Sequence, residues 1–319
     1  MLVRKPGSPQ AQALSEIGAQ LATGDVTERE SMREAMHGAQ VVIHNAGAYE
    51  LGVDAAGRQR MQTINTKGTE SVLSLALELG VPRSIYVSTV GAFGDSGSEL
   101  RNETFTRSAP FRSAYEQSKA EAHDIASQYQ QRGLPLVIVC PNGVIGPNDH
   151  SVWGYFVRLY INKLLPPMAW SPQSRFSFVD VNDLAEGIAL AAEKGRTSET
   201  YLLCGEPKSL RELFVYWADR PGAFKPRLWL PPRLAEFAFW PLEPLQRAVG
   251  LPAFLSRETV VAGAGNLNYS SEKAQRELGW TYKTAREMWF DTIDRELELL
   301  AKRRKCDLLS RLKPMESEM

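Results

Sequence analysis

Tyr115 and Lys119 stand four residues apart in the segment Tyr115-Glu116-Gln117-Ser118-Lys119, and a hydroxyl pair, Ser88-Thr89, precedes them in the chain. On a helix, positions i and i+4 share a face, so the ammonium is predicted to sit under the phenol. That arrangement suits proton transfer to or from a substrate oxygen. An unperturbed Tyr titrates at about 10 and shuttles protons near neutrality only if a nearby cation favours the phenolate. Lys119 is predicted to be that cation. Taken alone, a helix-face Tyr and Lys can equally be surface residues, and a Ser-Thr pair ending a strand can be a turn cap.

The elements that must position these groups alternate between apolar runs and helical patterns, which predicts β-α units and a mostly parallel sheet. Strands are expected at Leu2-Val3-Arg4, 40–44, 84–88, 135–140, 175–179 and 200–204. Thr27-Glu28-Arg29-Glu30 reads as a capping box opening a helix that runs to about His37, with Gly38 stopping it. Ile64, Gly68, Val72, Leu75 and Leu79 repeat at helical spacing, and a further helix is expected over 182–193. After Gly205 prolines and tryptophans are dense, predicting a smaller, mainly helical lobe. The division expected is 1–150 with 175–205 for the sheet domain, 151–174 with 206–301 for a substrate lobe, and 302–319 as a tail. Within the lobe, 228–249 is rich in Trp, Phe and Pro; lobe packing is favoured over a membrane-surface helix because Pro231, Pro232, Pro241 and Pro244 interrupt it.

Composition narrows the class of partner. Lysines plus arginines number 37, as do acidic residues, so no global field recruits nucleic acid or an anionic membrane. A small molecule is the expected ligand. Cys140, Cys204 and Cys306 form neither a disulfide framework nor a zinc site, and no metal is expected. No apolar run approaches about 18 residues, so a cytoplasmic chain with no transmembrane segment is predicted.

Several ordered motifs resemble the extended short-chain dehydrogenase/reductase superfamily, in its NAD-dependent epimerase/dehydratase family, near the dihydroflavonol reductase and 3-beta-hydroxysteroid dehydrogenase branch. They are Gly24-Asp25-Val26, His44-Asn45-Ala46-Gly47, Asn65-Thr66-Lys67-Gly68-Thr69, Tyr86-Val87-Ser88-Thr89, Pro141-Asn142-Gly143-Val144-Ile145-Gly146-Pro147, the stretch 178–185 and the stretch 271–280, besides Tyr115 and Lys119. The resemblance implies an α/β, Rossmann-type doubly wound parallel sheet. It implies Tyr115 as general acid/base, Lys119 as its tuner and holder of the nicotinamide ribose, and Thr89 as the hydroxyl beside the substrate oxygen, with Ser88 as the fallback. Cofactor contacts are implied for Asp25, Val26, Ala46, Gly47, Asn65, Pro141, Gly143 and Val144, although Asp25 is equally explained as a helix start. Arg4, at the end of the second strand, favours NADP by offering a guanidinium to a 2'-phosphate, with NAD possible and a solvated basic turn as the competing reading. A homodimer through the helices bearing Asn65 and Tyr115 resembles family practice.

The expected activity is interconversion of a ketone or aldehyde and an alcohol on a ring-bearing or apolar small molecule. Val90 and Gly91 stand where sugar dehydratases carry Asp-Glu, which disfavours dehydration, and Gly143 stands where sugar-nucleotide epimerases often carry Asn. Tyr49, Val90, Asn142 and Trp153, with Tyr155, Phe156 and Trp170, are expected on the substrate side, although core packing explains many of them. The alternatives are a nucleotide-sugar epimerase and a catalytically impaired dinucleotide sensor. No glycine-rich dinucleotide loop is read upstream of Tyr115, and Leu2-Val3-Arg4 matches the second strand of such a fold. About 25–35 residues, one strand-helix unit, are therefore expected before Met1. Without the first strand, a gap of about 10 Å is expected in the middle of the sheet. Gly263-Ala264-Gly265 is predicted to be a loop.

Overall fold

The computed structural model describes residues 1–164, 168–220, 226–241, 245–246 and 256–302. The tail beyond Lys302, with Cys306, and parts of 228–249 lie outside the described residues. Four parallel strands lie in the spatial order Thr200–Leu203, Leu136–Pro141, Ser84–Val87, Val42–His44. Leu136–Pro141 is buried at every residue, and its alternation shows why. Leu136, Ile138 and Cys140 pack on one side with Val72, Leu75, Ala122 and Ala126, while Val137 and Val139 pack on the other with Leu184, Ala191, Ala274 and Trp280. A strand covered on both faces reads as an unbroken apolar run.

The covering helices start where local chemistry supplies a cap. Ala55–Glu78 opens on Asp54, whose carboxylate accepts the Gly57 amide at 2.8 Å, and Ala114–Gln131 opens on Ser113, whose hydroxyl accepts the Glu116 amide at 3.1 Å. Such caps offset the unpaired amides of a first helical turn. The two helices lie side by side, joined by a 2.9 Å bond from Asn65 Nδ2 to Ser118 Oγ.

Leu2–Val3 and Ala22–Thr23 pair in parallel with each other, as a two-stranded sheet separate from the four-stranded one. The four-stranded sheet therefore ends at Val42–His44, where Val41 and Ile43 are 43% and 48% exposed. Three local expectations are corrected. Thr27 forms no capping box: Asp25 Oδ1 accepts both its amide (2.9 Å) and its hydroxyl (2.8 Å), Glu30 pairs with Arg29 and Arg33, and the segment is a 3-10 turn, Arg29–Met32, running into Arg33–Met36. The ionised Asp25 takes both the Thr27 amide and its hydroxyl proton, which holds Thr27 in a turn around that carboxylate instead of at a helix start. The expected strand over 175–179 is broken. Arg175–Phe176 pairs antiparallel with Lys208–Ser209, and Val179–Asp180 pairs parallel with Val144–Ile145. Gly263 and Ala264 belong to the helix Arg257–Ala264, not to a loop.

The C-terminal helices close over a third cluster that includes Phe156, Tyr160, Trp217, Trp289 and Ile293. Buried within it, Arg158 and Glu296 form an ion pair at 3.5 Å. No helix among the described residues is long and apolar enough to cross a membrane.

Candidate active site

Ser84–Val87 delivers Ser88 and Thr89 to the carboxyl edge of the sheet, and strand alternation sends their side chains opposite ways. Thr89 lies in extended backbone; its Oγ1 accepts the Gly91 amide at 3.2 Å and lies near enough to the Tyr115 phenol to pull its titration down. Ser88 turns away, with Oγ 2.9 Å from His123 Nδ1. Burial holds that imidazole down at about 4, so it is neutral near pH 7. Of the two hydroxyls, Thr89 is the one coupled to Tyr115.

Tyr115 occupies the first turn of its helix, with the Tyr49 ring edge-on at 4.5 Å. Burial pushes its phenol up to about 12, against the opposing pull of the Thr89 hydroxyl. At neutral pH it is a protonated acid. Lys119 is placed differently from expectation. Its ammonium donates to Tyr86 OH at 3.3 Å and to the Val87 carbonyl at 3.2 Å, and it is not among the groups that shift Tyr115. Only 7% exposed, an ammonium must find acceptors, and the strand end supplies them. Burial brings Lys119 down to about 8.

Thr89 and Tyr115 border a cavity of about 550 Å³. Ser88, Thr89, Tyr115, Pro141, Asn142, Gly143 and Val144 line it, and Tyr49, Trp153, Phe156, Trp170, Phe178, Trp217 and Phe239 supply its walls. Trp153 packs edge-on against Phe178 at 4.7 Å. Two expected lining residues are elsewhere. Val90 is wholly buried in the core beside the sheet, because the turn after Thr89 points it at the helices; Tyr155 lies under the Arg158 guanidinium at 4.9 Å. Asn142 is tied down, donating to the Leu267 carbonyl at 2.7 Å.

Of the residues expected to hold a cofactor, Arg4 and Asp25 come together at the ends of the parallel pair. The exposed guanidinium helps keep the Asp25 carboxyl below its usual range, after the larger contribution of the Thr27 hydrogen bonds. Val26 packs on the helix at Gly68, where an added Cβ would lie 3.0 Å from Val26 Cγ2. Ala46 and Gly47 are exposed in the loop after Val42–His44. Asn65 is a brace: its amide exchanges bonds with the Ala48 backbone and donates to Ser118. Among the described residues no cluster of His, Cys, Asp and Glu forms a metal site.

Three features went unread in the sequence. Glu116, inside the Tyr-x-x-x-Lys spacing, is buried and held by Arg112 (2.7 Å), with Arg107 at 3.7 Å, and Arg107 also donates to the Gly91 carbonyl, fixing the turn after Thr89. Arginine four residues before Glu116 was the available signal. Glu258, far along the chain, accepts the Gly52 amide at 2.7 Å and the Ala114 amide at 3.2 Å. It ties the lobe to both the Tyr49 loop and the start of the Tyr115 helix. Glu258→Ala is expected to raise KM for substrate about tenfold while changing kcat less, because two charge-assisted bonds are lost and about 1.4 kcal/mol of that reaches binding through the Tyr49 loop; steady-state kinetics that leave KM unmoved would refute the latch. Finally, Gly91, Gly94 and Gly97 carry the glycine spacing of a dinucleotide turn, but the turn opens no helix, and Arg107 fills the space beside Gly94.

The profile of the NAD dependent epimerase/dehydratase family matches residues 1–204. The chain is 29% identical over 289 residues to sterol demethylase protein B of Methylococcus capsulatus, covering 88% of this chain and 86% of that one. It is 28% identical over 292 residues to the 4-hydroxy-2-methyl-3-oxo-4-farnesyl-3,4-dihydroquinoline-1-oxide ketoreductase of Stigmatella aurantiaca, covering 89% and 85%. Among solved structures, that of gox2253 superimposes with a TM-score of 0.77 at 29% identity, covering 93% of this chain and 90% of its own.

Proposed function

The chain belongs to the NAD dependent epimerase/dehydratase family, among the NAD(P)-dependent enzymes of the extended short-chain dehydrogenase/reductase superfamily, and from that premise we propose that it is an NADP-preferring reductase of a ketone or aldehyde on a ring-bearing, apolar small molecule. The observation that carries this reading is the Tyr115–Thr89 hydroxyl pair bordering an aromatic-walled cavity. A few convergent polar groups in an apolar pocket orient a ligand by one oxygen and hold the rest by surface burial.

Gly143 supports the choice over a sugar nucleotide. A Cβ there would lie 2.5 Å from the Phe178 ring, so the position has no room for the Asn that sugar-nucleotide epimerases often carry. The dinucleotide fits at two ends. Lys119 is a buried cation that donates to the neutral Tyr86 hydroxyl and Val87 carbonyl, which suits ribose hydroxyls, and Arg4 offers an exposed charge to a 2'-phosphate beside Asp25. The turn at Gly91 to Gly97 gives no pyrophosphate cradle, because anion binding of that kind uses a helix N-terminus.

When bound, the dinucleotide supplies the hydride. Thr89 and Tyr115 fix the carbonyl oxygen from two sides, and Tyr115, protonated at neutral pH, gives its phenolic proton to that oxygen as negative charge develops there. The walls exclude water, which strengthens both hydrogen bonds. Purified protein is expected to oxidise NADPH faster than NADH with polycyclic and isoprenoid ketones. No absorbance change with either dinucleotide across ketone, aldehyde and sterol panels would overturn the assignment.

A further inference from the structure

One short helix separates the cavity from the outer surface. Pro232–Phe239 turns Ala235 and Phe239 inward against Trp170 and Leu230, so lobe packing explains that face. It does not explain the other: Leu234, Phe237 and Trp240 are 57, 75 and 61% exposed. At 3.6 residues per turn, Trp240, Phe237 and Leu234 fill an outward arc of about 120°. Leu228, before the helix in sequence, and Leu245, after it, are also 50 and 61% exposed. Arg227 and Arg233 are exposed on the same segment and, among the described residues, enter no ion pair, whereas Glu236 lies 3.9 Å from Arg257.

We propose that this face docks on the surface of an anionic lipid bilayer, and that an apolar substrate passes between bilayer and cavity along this helix. Aromatic and leucine side chains flanked by arginine are the composition of helices that lie in the membrane interface. The two arginines complement anionic headgroups locally, in a chain whose net charge is zero. A second copy is the poorer occupant, because a two-fold contact places the same patch against itself and brings its arginines towards their own counterparts. The inner side of the helix, through Ala238 and Phe239, lines the cavity. The passage of substrate rests on the reading of that cavity as an apolar carbonyl site; the docking does not.

The test is flotation of the whole protein with vesicles of phosphatidylcholine mixed with phosphatidylglycerol, and with phosphatidylcholine alone. The protein is expected to float with the mixed vesicles, less at high salt, and the double variant Phe237→Ser, Trp240→Ser to bind about tenfold less with an unchanged Tm. Failure of the wild type to float, or equal flotation of the variant, overturns the proposal. So does a variant that turns a dimer into a monomer while neither form binds vesicles. Flotation reads no turnover, so a protein that floats but reduces no ketone removes the assigned activity and leaves the docking standing.

Discussion

Tyr115→Phe is expected to lower kcat for carbonyl reduction by about 10³-fold, inside the 10²–10⁴ range for a positioned proton donor, with KM changed by less than about threefold. The ring and its edge-on contact with Tyr49 survive the change, so substrate burial is retained and only the proton is lost. Thr89 keeps its bond from the Gly91 amide, which holds the turn in place without the phenol. Stability should fall by no more than about 1 kcal/mol, the usual net worth of one hydrogen bond. The pH profile carries a second signature. Because the phenol titrates at about 12, it remains a proton donor throughout the neutral range, so the wild type should show no loss of reduction rate from Tyr115 ionisation at mildly alkaline pH. A kcat for the variant within tenfold of wild type would remove Tyr115 from the proton-donor role.

The parallel sheet was legible because its strands are apolar on both sides, and Leu136–Pro141 shows such a run directly. The helix over 64–79 was legible from its spacing, although its start at Ala55 depended on the Asp54 cap. What the sequence withheld is direction. Alternation says that Ser88 and Thr89 face opposite ways without saying which faces Tyr115. The i, i+4 spacing puts Lys119 on the face of Tyr115, but its long side chain then chose acceptors at the strand end. Val90 is apolar and next to the hydroxyl pair, which fits a cavity wall and a core equally well until the turn is seen. Glu258 had no local signal at all, since its partners Gly52 and Ala114 are brought to it by the fold. The strand expected over 175–179 failed for a related reason. Five residues of strand-like pattern were shared between two different neighbours, Lys208–Ser209 and Val144–Ile145.

Lys119→Met is expected to remove most activity and to make the protein more stable. The wild-type ammonium is 7% exposed, it donates to the neutral Tyr86 hydroxyl and Val87 carbonyl, and burial lowers it from 10.5 to about 8. At about 1.4 kcal/mol per unit, that depression corresponds to roughly 3 kcal/mol against the folded state at neutral pH. The unfolded chain binds this proton more tightly, so the cost is full below about pH 8 and is relieved as pH rises towards 10.5. Methionine keeps the apolar length of the side chain and drops the charge. It also forfeits two hydrogen bonds worth about 1 kcal/mol each, leaving a net gain of roughly 1 kcal/mol and a Tm higher by about 2–4 °C. Loss of the cation from the ribose end should at the same time lower kcat/KM by about 10²-fold, or nearly 3 kcal/mol of transition-state binding. The two readouts move in opposite directions, which separates a functional charge from a structural one. Thermal unfolding from pH 7 to pH 10 is the check: the Tm advantage of the variant should shrink as the wild-type ammonium deprotonates. A variant less stable than wild type at pH 7, or an advantage that does not change with pH, would show that Lys119 is charged at no cost to the fold and that its neutral partners are not its only support.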